Sequence, residues 1–187
     1  AHFKFTAGQF ARIGIKVADD LVVRAYSVVS SPFDETLEFF SIVVPDGAFT
    51  SHLQHLKVDD EIYLEKIPYG FLTLARYQKP LPKDLWLLAT GTGLAPFLSM
   101  LQDFETWQNY QSILLVYSVR SAAELAYVDQ IQQIVDNFSE GHSGFQFVPI
   151  ITRDPQADLH ERLPILIENG QLEQKVGLQF NPESTHI

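Results

Sequence analysis

Leu85-Trp86-Leu87-Leu88-Ala89-Thr90-Gly91-Thr92-Gly93-Leu94-Ala95-Pro96 decides how the second half of this chain folds. An apolar run ends in a glycine turn, and Pro96 stands where a first helical turn tolerates a missing N–H. A strand, a glycine turn and a helix in that order let backbone approach a dinucleotide pyrophosphate closely and offer it free N–H groups. The rhythm continues downstream. The helix is expected from about Ala95 to Trp107, with Leu94, Phe97, Leu98, Leu101 and Phe104 as its apolar face. A strand Ser112–Tyr117 precedes a long helix from Ala122 to about Asn137, striped by Leu125, Val128, Ile131, Ile134 and Val135. A strand Phe145–Ile151 precedes a helix from about Arg162 to Glu168. Alternation of this kind predicts βαβ units and a parallel sheet.

Upstream the pattern is different. Phe10–Val17, Leu21–Val29, Leu37–Val44 and Glu61–Lys66 read as strands. Asp19-Asp20, Ser31-Pro32, Pro45-Asp46-Gly47 and Asp59-Asp60 separate them as turns, and a short helix is expected from Thr50 to Leu56. Short strands at this spacing suggest an antiparallel barrel or sandwich. Tyr77-Gln78-Lys79-Pro80-Leu81-Pro82-Lys83-Asp84 reads as a linker, so the domains are expected at 1–83 and 84–187.

Charge follows the same division. The chain has 187 residues and a net charge of −10. Residues 1–83 carry nine Lys/Arg against ten Asp/Glu, and residues 84–187 carry four against thirteen. A chain this acidic argues against nucleic-acid binding. No apolar run approaches ~20 residues, so no membrane span is expected. The absence of cysteine removes disulfides, thiolate metal sites and thiol catalysis. Together with a start that lacks signal-peptide architecture, it leads to the expectation of a cytoplasmic protein.

Three strand ends carry candidate chemistry in the second half. They are Thr90-Gly91-Thr92-Gly93, Ser118-Val119-Arg120 and Thr152-Arg153-Asp154, with Arg162 opening the last helix. Only four cations occur in this acidic half. Arginines kept where a nucleotide would lie suggest a phosphate contact, because guanidinium binds phosphate bidentately. Alone, Gly-Thr-Gly is a weak signal. Arg120 and Arg153 could be solvated charges, and Arg162 could pair with Asp158 or Glu161. In the first half, Arg24-Ala25-Tyr26-Ser27 sets a cation, an aromatic ring and a hydroxyl in one strand, which can seat a flavin. Asp46-Gly47-Ala48-Phe49-Thr50-Ser51 leads into a helix start with hydroxyls available as caps. An ordinary capped helix explains that stretch equally well. His52 and His55 are spaced to share a helix face but lack a third ligand. The paired carboxylates read as turns, and no Ser–His–Asp arrangement can be argued.

In order along nearly the whole chain, these runs resemble the bacterial ferredoxin/flavodoxin–NADP+ reductases of the FAD-dependent ferredoxin reductase superfamily. The matching stretches are Gly8-Gln9-Phe10, Arg24-Ala25-Tyr26-Ser27, Leu37-Glu38-Phe39-Phe40-Ser41-Ile42 and Pro45-Asp46-Gly47 with Thr50-Ser51. Leu88–Phe97, Val119-Arg120, Glu124-Leu125-Ala126-Tyr127, Thr152-Arg153 and Arg162 follow. The resemblance implies two domains, an antiparallel Greek-key β-barrel for FAD followed by an α/β parallel-sheet domain for NADP(H). It implies that Arg24, Ala25, Tyr26, Ser27, Phe40, Ala48, Phe49, Thr50 and Thr92 hold FAD. Val119, Arg120, Thr152, Arg153 and Arg162 would hold NADP(H), with the arginines on its 2′-phosphate.

The implied reaction passes a hydride between nicotinamide and flavin and exchanges electrons with ferredoxin or flavodoxin. It needs position and electrostatics rather than an essential general acid or base. A monomer is expected. Lys66, Arg76, Lys79 and Lys83 are candidate docking charges for an acidic carrier. The reductase component of an oxygenase, or a free-flavin reductase, would use the same two ligands. A nucleotide-binding module on a degenerate scaffold is the reading without catalysis. Family members usually begin with another strand before Phe3-Lys4-Phe5. They continue past Asn181-Pro182-Glu183 into a further strand and a Cys-Gly-x-Pro-like turn. The chain is therefore expected to lack both segments.

Overall fold

The computed structural model describes residues 3–76, 80–139 and 144–187. The expected linker residues Tyr77, Gln78 and Lys79 lie outside that set. The chain divides into two compact units, Ala1–Arg76 with Ala95–Met100, and Tyr77–Leu94 with Leu101–Ile187.

In the first unit, β1 (Phe10–Val17) pairs antiparallel with β2 (Asp20–Ser27) along its whole length, from Phe10↔Ser27 to Val17↔Asp20. Alternation decides what β1 buries: Ala11, Ile13 and Ile15 point inward, while Arg12 and Lys16 do not. After the short α1 (Thr50–Leu53), β3 (Tyr63–Leu64) adds to the other edge of β1, giving the order β2-β1-β3. Ile13, Ile15 and Phe49 form the buried centre, packed by Val17, Val22, Tyr26, Phe39, Leu53 and Leu64. The stretch Leu37–Val44, expected as a strand, is not one. It meets β2's continuation at a single bridge, Val28↔Phe39, and at the bond from Val29 N to Glu38 O. Ile42, Val43 and Val44 are about half exposed. β-Branched residues make a strand only where a neighbour pairs with them.

The second unit is a parallel sheet. β4 (Asp84–Thr90) opens it, followed by a 3₁₀ turn at Gly91–Leu94, α2 (Ala95–Leu101) and α3 (Phe104–Asn109). Next come β5 (Ser112–Val119), a 3₁₀ turn at Ala122–Glu124, α4 (Val128–Phe138) and β6 (Phe145–Ile151). α5 (Leu163–Glu168), α6 (Gln171–Val176) and β7 (Thr185–His186) follow. The strand order is β6-β5-β4-β7, all parallel. Seven of the eight residues of β5 are buried, which is why it reads as an unbroken apolar run. One face of the sheet, with Trp86, Leu114, Val116, Val148 and Ile150, packs against Leu163, Leu166, Leu172 and Val176. Each such leucine buried contributes roughly 1.5–3 kcal/mol.

Two expected helices are broken. The Ala95–Trp107 helix divides at Asp103, whose backbone is extended and whose side chain accepts from Glu105 N at 3.0 Å. The indole Nε1–H of Trp107 donates to Leu101 O at 2.8 Å, satisfying a carbonyl at the end of α2. Phe104, expected on the buried face, is 60% exposed and lies against the Phe138 ring. The Ala122–Asn137 helix begins only at Val128, because Tyr127 adopts a left-handed conformation with φ 64°. α6 and β7 were not expected.

Candidate functional site

Parallel strands all end at the same edge of a sheet, and open sheets of this kind bind ligands beyond those carboxyl ends. Thr90 pairs with Ser118, and Val119 with Ile151, so the three expected strand ends lie side by side. The ladder between β5 and β6 runs on past the strands. Thr152 donates to Val119 O through both its backbone N (2.9 Å) and its Oγ1 (3.2 Å). Arg153 N donates to Arg120 O at 2.9 Å. These bonds set Arg120 and Arg153 next to each other at the edge, both exposed. Val119 is buried and Thr152 half-buried.

Glu124 returns to Arg120 from the 3₁₀ turn that follows. Its Oε1 accepts from Arg120 Nε at 3.0 Å and lies 2.8 Å from Nη2, and its Oε2 accepts from Arg120 backbone N at 3.1 Å. The Arg120 side chain and amide hold the Glu124 carboxyl below its ordinary range, and the charge of Arg153 adds to the effect. Arg162 is the residue before the first turn of α5, exposed, and its carbonyl accepts from Ile165 N and Leu166 N. The alternative partner Asp158 is engaged elsewhere, 2.8 Å from Lys175 Nζ. Among the described residues, no salt bridge involves Arg153 or Arg162.

The glycine turn after β4 has room around it. A Cβ added at Gly91 or Gly93 would meet nothing within 4 Å, and Gly91 alone has a positive φ, 50°. Thr92 between them is half-buried. Packing does not call for glycine at 93, so the open space there is available to a ligand.

In the first unit, alternation along β2 puts Arg24 and Tyr26 on one face and Ala25 and Ser27 on the other. Arg24 is exposed, and its Nη1 donates to Val23 O at 2.7 Å. Tyr26 is half-buried, its ring centroid 5.7 Å from that of Phe49. Burial raises the Tyr26 hydroxyl pKa, and the Arg24 charge opposes the rise. The Tyr26–Phe49 contact joins β2 to the start of α1. Phe40, half-buried, follows the Val28↔Phe39 bridge.

The hydroxyls expected to cap α1 do other work. Thr50 Oγ1 accepts from Val44 N at 2.9 Å, and Ser51 Oγ donates to Gly47 O. Phe49 occupies the cap position and caps nothing. The backbone N–H groups of Ala48, Phe49 and Thr50 therefore have no intramolecular acceptor among the described residues. Ala48 is exposed, whereas Phe49 and Thr50 are buried. Three adjacent free amides, a half-buried aromatic ring packed on Phe49 and an exposed guanidinium two residues before that ring on β2 fit a flavin nucleotide and its phosphates.

A cavity of about 400 Å³ lies elsewhere, on the outer edge of β6 between Phe147, Pro149, Ile151, Leu159 and Lys175. It includes none of the expected site residues. Sequence reasoning assigned no role to Glu124 or to Tyr117, whose hydroxyl donates to Glu124 O at 3.3 Å. The four-residue spacing of Arg120 and Glu124 signals an ion pair only on a helix, and here the chain passes through a 3₁₀ turn.

Two family models match the chain one after the other. The family model described as "Oxidoreductase FAD-binding domain" matches residues 1–73. "Oxidoreductase NAD-binding domain" matches residues 87–185. A ferredoxin–NADP reductase of Pseudomonas aeruginosa is 42% identical over 96% of this chain and 70% of its own length. A flavodoxin/ferredoxin–NADP reductase of Escherichia coli is 39% identical over 98% of this chain and 72% of its own. The crystal structure of a ferredoxin NADP+ reductase from Neisseria gonorrhoeae, with bound FAD and NADP, superposes with a TM-score of 0.88 at 35% identity. It covers 99% of this chain, which covers 73% of it. With this identity sustained across both an FAD-binding and an NAD-binding domain, the chain belongs to the ferredoxin/flavodoxin–NADP reductase family.

Proposed function

We propose that this protein is an FAD-dependent oxidoreductase that passes electrons between NADP(H) and ferredoxin or flavodoxin. The observation that carries the reading is one chain with both an FAD-binding and an NAD-binding domain, at 39–42% identity to reductases named for that reaction. Bound FAD supplies a ring able to exchange a hydride with nicotinamide and single electrons with a carrier.

The chain's own residues bind and orient. The free amides of Ala48, Phe49 and Thr50 donate to the FAD phosphates, and Arg24 offsets their charge. Tyr26 lays its ring face against the flavin, held there by Phe49 behind it. Ala25 and Ser27, on the other face of β2, contribute through backbone, and Phe40 lines the same site. In the second unit, Val119 and Thr152 form the floor of the nucleotide site, and Arg120, Arg153 and Arg162 receive the 2′-phosphate of NADP(H). No side chain is assigned proton transfer, since hydride exchange between two cofactors needs positioning above all.

The carrier is the second partner. An acidic carrier is repelled by residues 84–187, with four Lys/Arg against thirteen Asp/Glu, and less so by the nearly balanced residues 1–83. Lys66, Arg76 and Lys83 are exposed and available to it. The guanidinium of Arg76 lies 4.0 Å from the centre of the Phe71 ring. Lys79 lies outside the described residues.

The visible spectrum tests the proposal. Protein loaded with FAD is expected to be yellow, to bleach on addition of NADPH under anaerobic conditions, and to recover its colour when oxidised ferredoxin or flavodoxin is added. Protein that takes up no FAD would overturn it.

A further inference from the structure

The nucleotide edge of the second unit holds a carboxylate that a phosphate site would be expected to avoid. Glu124 sits against Arg120, and the charge of Arg153 acts on it as well. The Arg120 side chain is 61% exposed and that of Glu124 37%, so the ion pair by itself contributes little to stability. Yet Glu124 is held more firmly than a surface pair requires. Its carbonyl accepts from the hydroxyl of Tyr117, a side chain wholly buried in β5. Its backbone N donates to Ser121 O at 3.0 Å, closing the turn. Its second carboxylate oxygen accepts from the Arg120 amide at 3.1 Å. The carboxylate is thus fixed to the sheet before it meets the guanidinium.

A guanidinium has five N–H donors in a planar fork. Glu124 takes the Nε–H at 3.0 Å and one N–H of Nη2, 2.8 Å away. Three donors remain, among them the end-on pair formed by Nη1 and Nη2, which is the edge that grips a phosphate with two parallel bonds. An unrestrained arginine side chain would sample many rotamers, and binding would have to stop that motion. We propose that Glu124 is a positioning residue that presents the free edge of Arg120 to the 2′-phosphate of the dinucleotide, with Tyr117 as its anchor. The inference rests on the reading of Arg120 as a 2′-phosphate ligand. Two effects oppose each other at this site. The carboxylate repels the phosphate, but solvent and salt screen that repulsion at an exposed edge. The ordering of the arginine is not screened, and it prevails.

A double-mutant cycle read by calorimetry tests this, with 2′-phospho-AMP and AMP titrated into the FAD-loaded protein. Arg120→Ala alone checks the underlying reading, and should weaken 2′-phospho-AMP about tenfold or more. Glu124→Ala should weaken 2′-phospho-AMP by roughly three- to tenfold and change AMP by less than twofold. In the Arg120→Ala background, Glu124→Ala should have no further effect. NADPH turnover of Glu124→Ala should show the loss in KM, with kcat retained. Unchanged or tighter 2′-phospho-AMP binding in Glu124→Ala would overturn the inference, as would a loss of equal size in the Arg120→Ala background. If Arg120→Ala itself leaves binding unchanged, the assignment of Arg120 fails and this inference fails with it. Retained AMP binding shows that the variants are folded.

Discussion

Gly91 and Gly93 stand two residues apart in one turn, and physical chemistry gives them different tasks. Gly91 has φ 50°, a conformation that costs an L-residue roughly 1–2 kcal/mol. Gly93 has no positive φ, and a Cβ there would meet nothing within 4 Å. Gly91→Ala is therefore expected to lower stability by about that amount, as read from the urea midpoint. Gly93→Ala should keep or raise the midpoint, because alanine restricts the unfolded chain more than glycine does. On the proposed nucleotide-binding reading, the added methyl would instead enter the open space at the turn, and NADPH should bind about tenfold more weakly. Stability lost at 93 with affinity intact would show that the open space there has no ligand. At this scale the sequence was informative about residue type and silent about orientation. It marked Arg120 and Arg153 because cations are scarce in an acidic half. It could not tell that Glu124 engages one of them, since that depends on a turn pinned by a buried tyrosine.

Asp103 shows what an element boundary is made of. The run from Ala95 to Trp107 has a helical apolar period, and the period alone predicts one helix. Asp103 competes with that helix by accepting from Glu105 N, which starts α3 anew. Asp103→Ala should cost about 1 kcal/mol, which is about 2–4 °C in Tm for a chain of this length, while Asp103→Asn should cost much less. A thermal melt of both variants measures the difference, and equal losses would mean that the cap is not what holds α3.

Other boundaries were legible for a reason. β1 and β6 match their expected limits because apolar residues recurring at alternate positions mark a strand from within its own sequence. Leu37–Val44 has strand composition, but a strand also depends on a partner elsewhere, and here the pairing is the single bridge at Phe39. α6 was missed because its six residues are too few for a period to show. Its limits lie in two left-handed glycines, Gly170 and Gly177.

For the molecule as a whole, the displaced ionisations among the described residues give acid the same sign of effect at three places. Asp158, beside Lys175, and Glu124, beside Arg120, have carboxyls held below their ordinary range. Both are exposed ion pairs. The stability they add is present above the unfolded carboxyl pKa and is lost as pH falls through the folded one. His186 differs in kind. Burial lowers its pKa from the ordinary 6.5, and its Nδ1 lies 3.1 Å from the Tyr110 hydroxyl. The folded chain favours neutral imidazole there, whereas the unfolded chain takes up a proton near pH 6.5. As pH falls below 6.5 the unfolded state binds more protons, so stability must fall.

The carboxylates leave that window untouched, since they titrate well below it. Among the described residues, a drop in Tm between pH 7.5 and 5.5 is therefore expected to come from His186, on the strand paired with β4. His186→Gln, which keeps a hydrogen-bonding group but does not titrate, should flatten the pH dependence across that window. It should leave the steeper loss below about pH 4.5 in place. A variant whose Tm falls with pH as the parent's does would place the acid sensitivity outside β7.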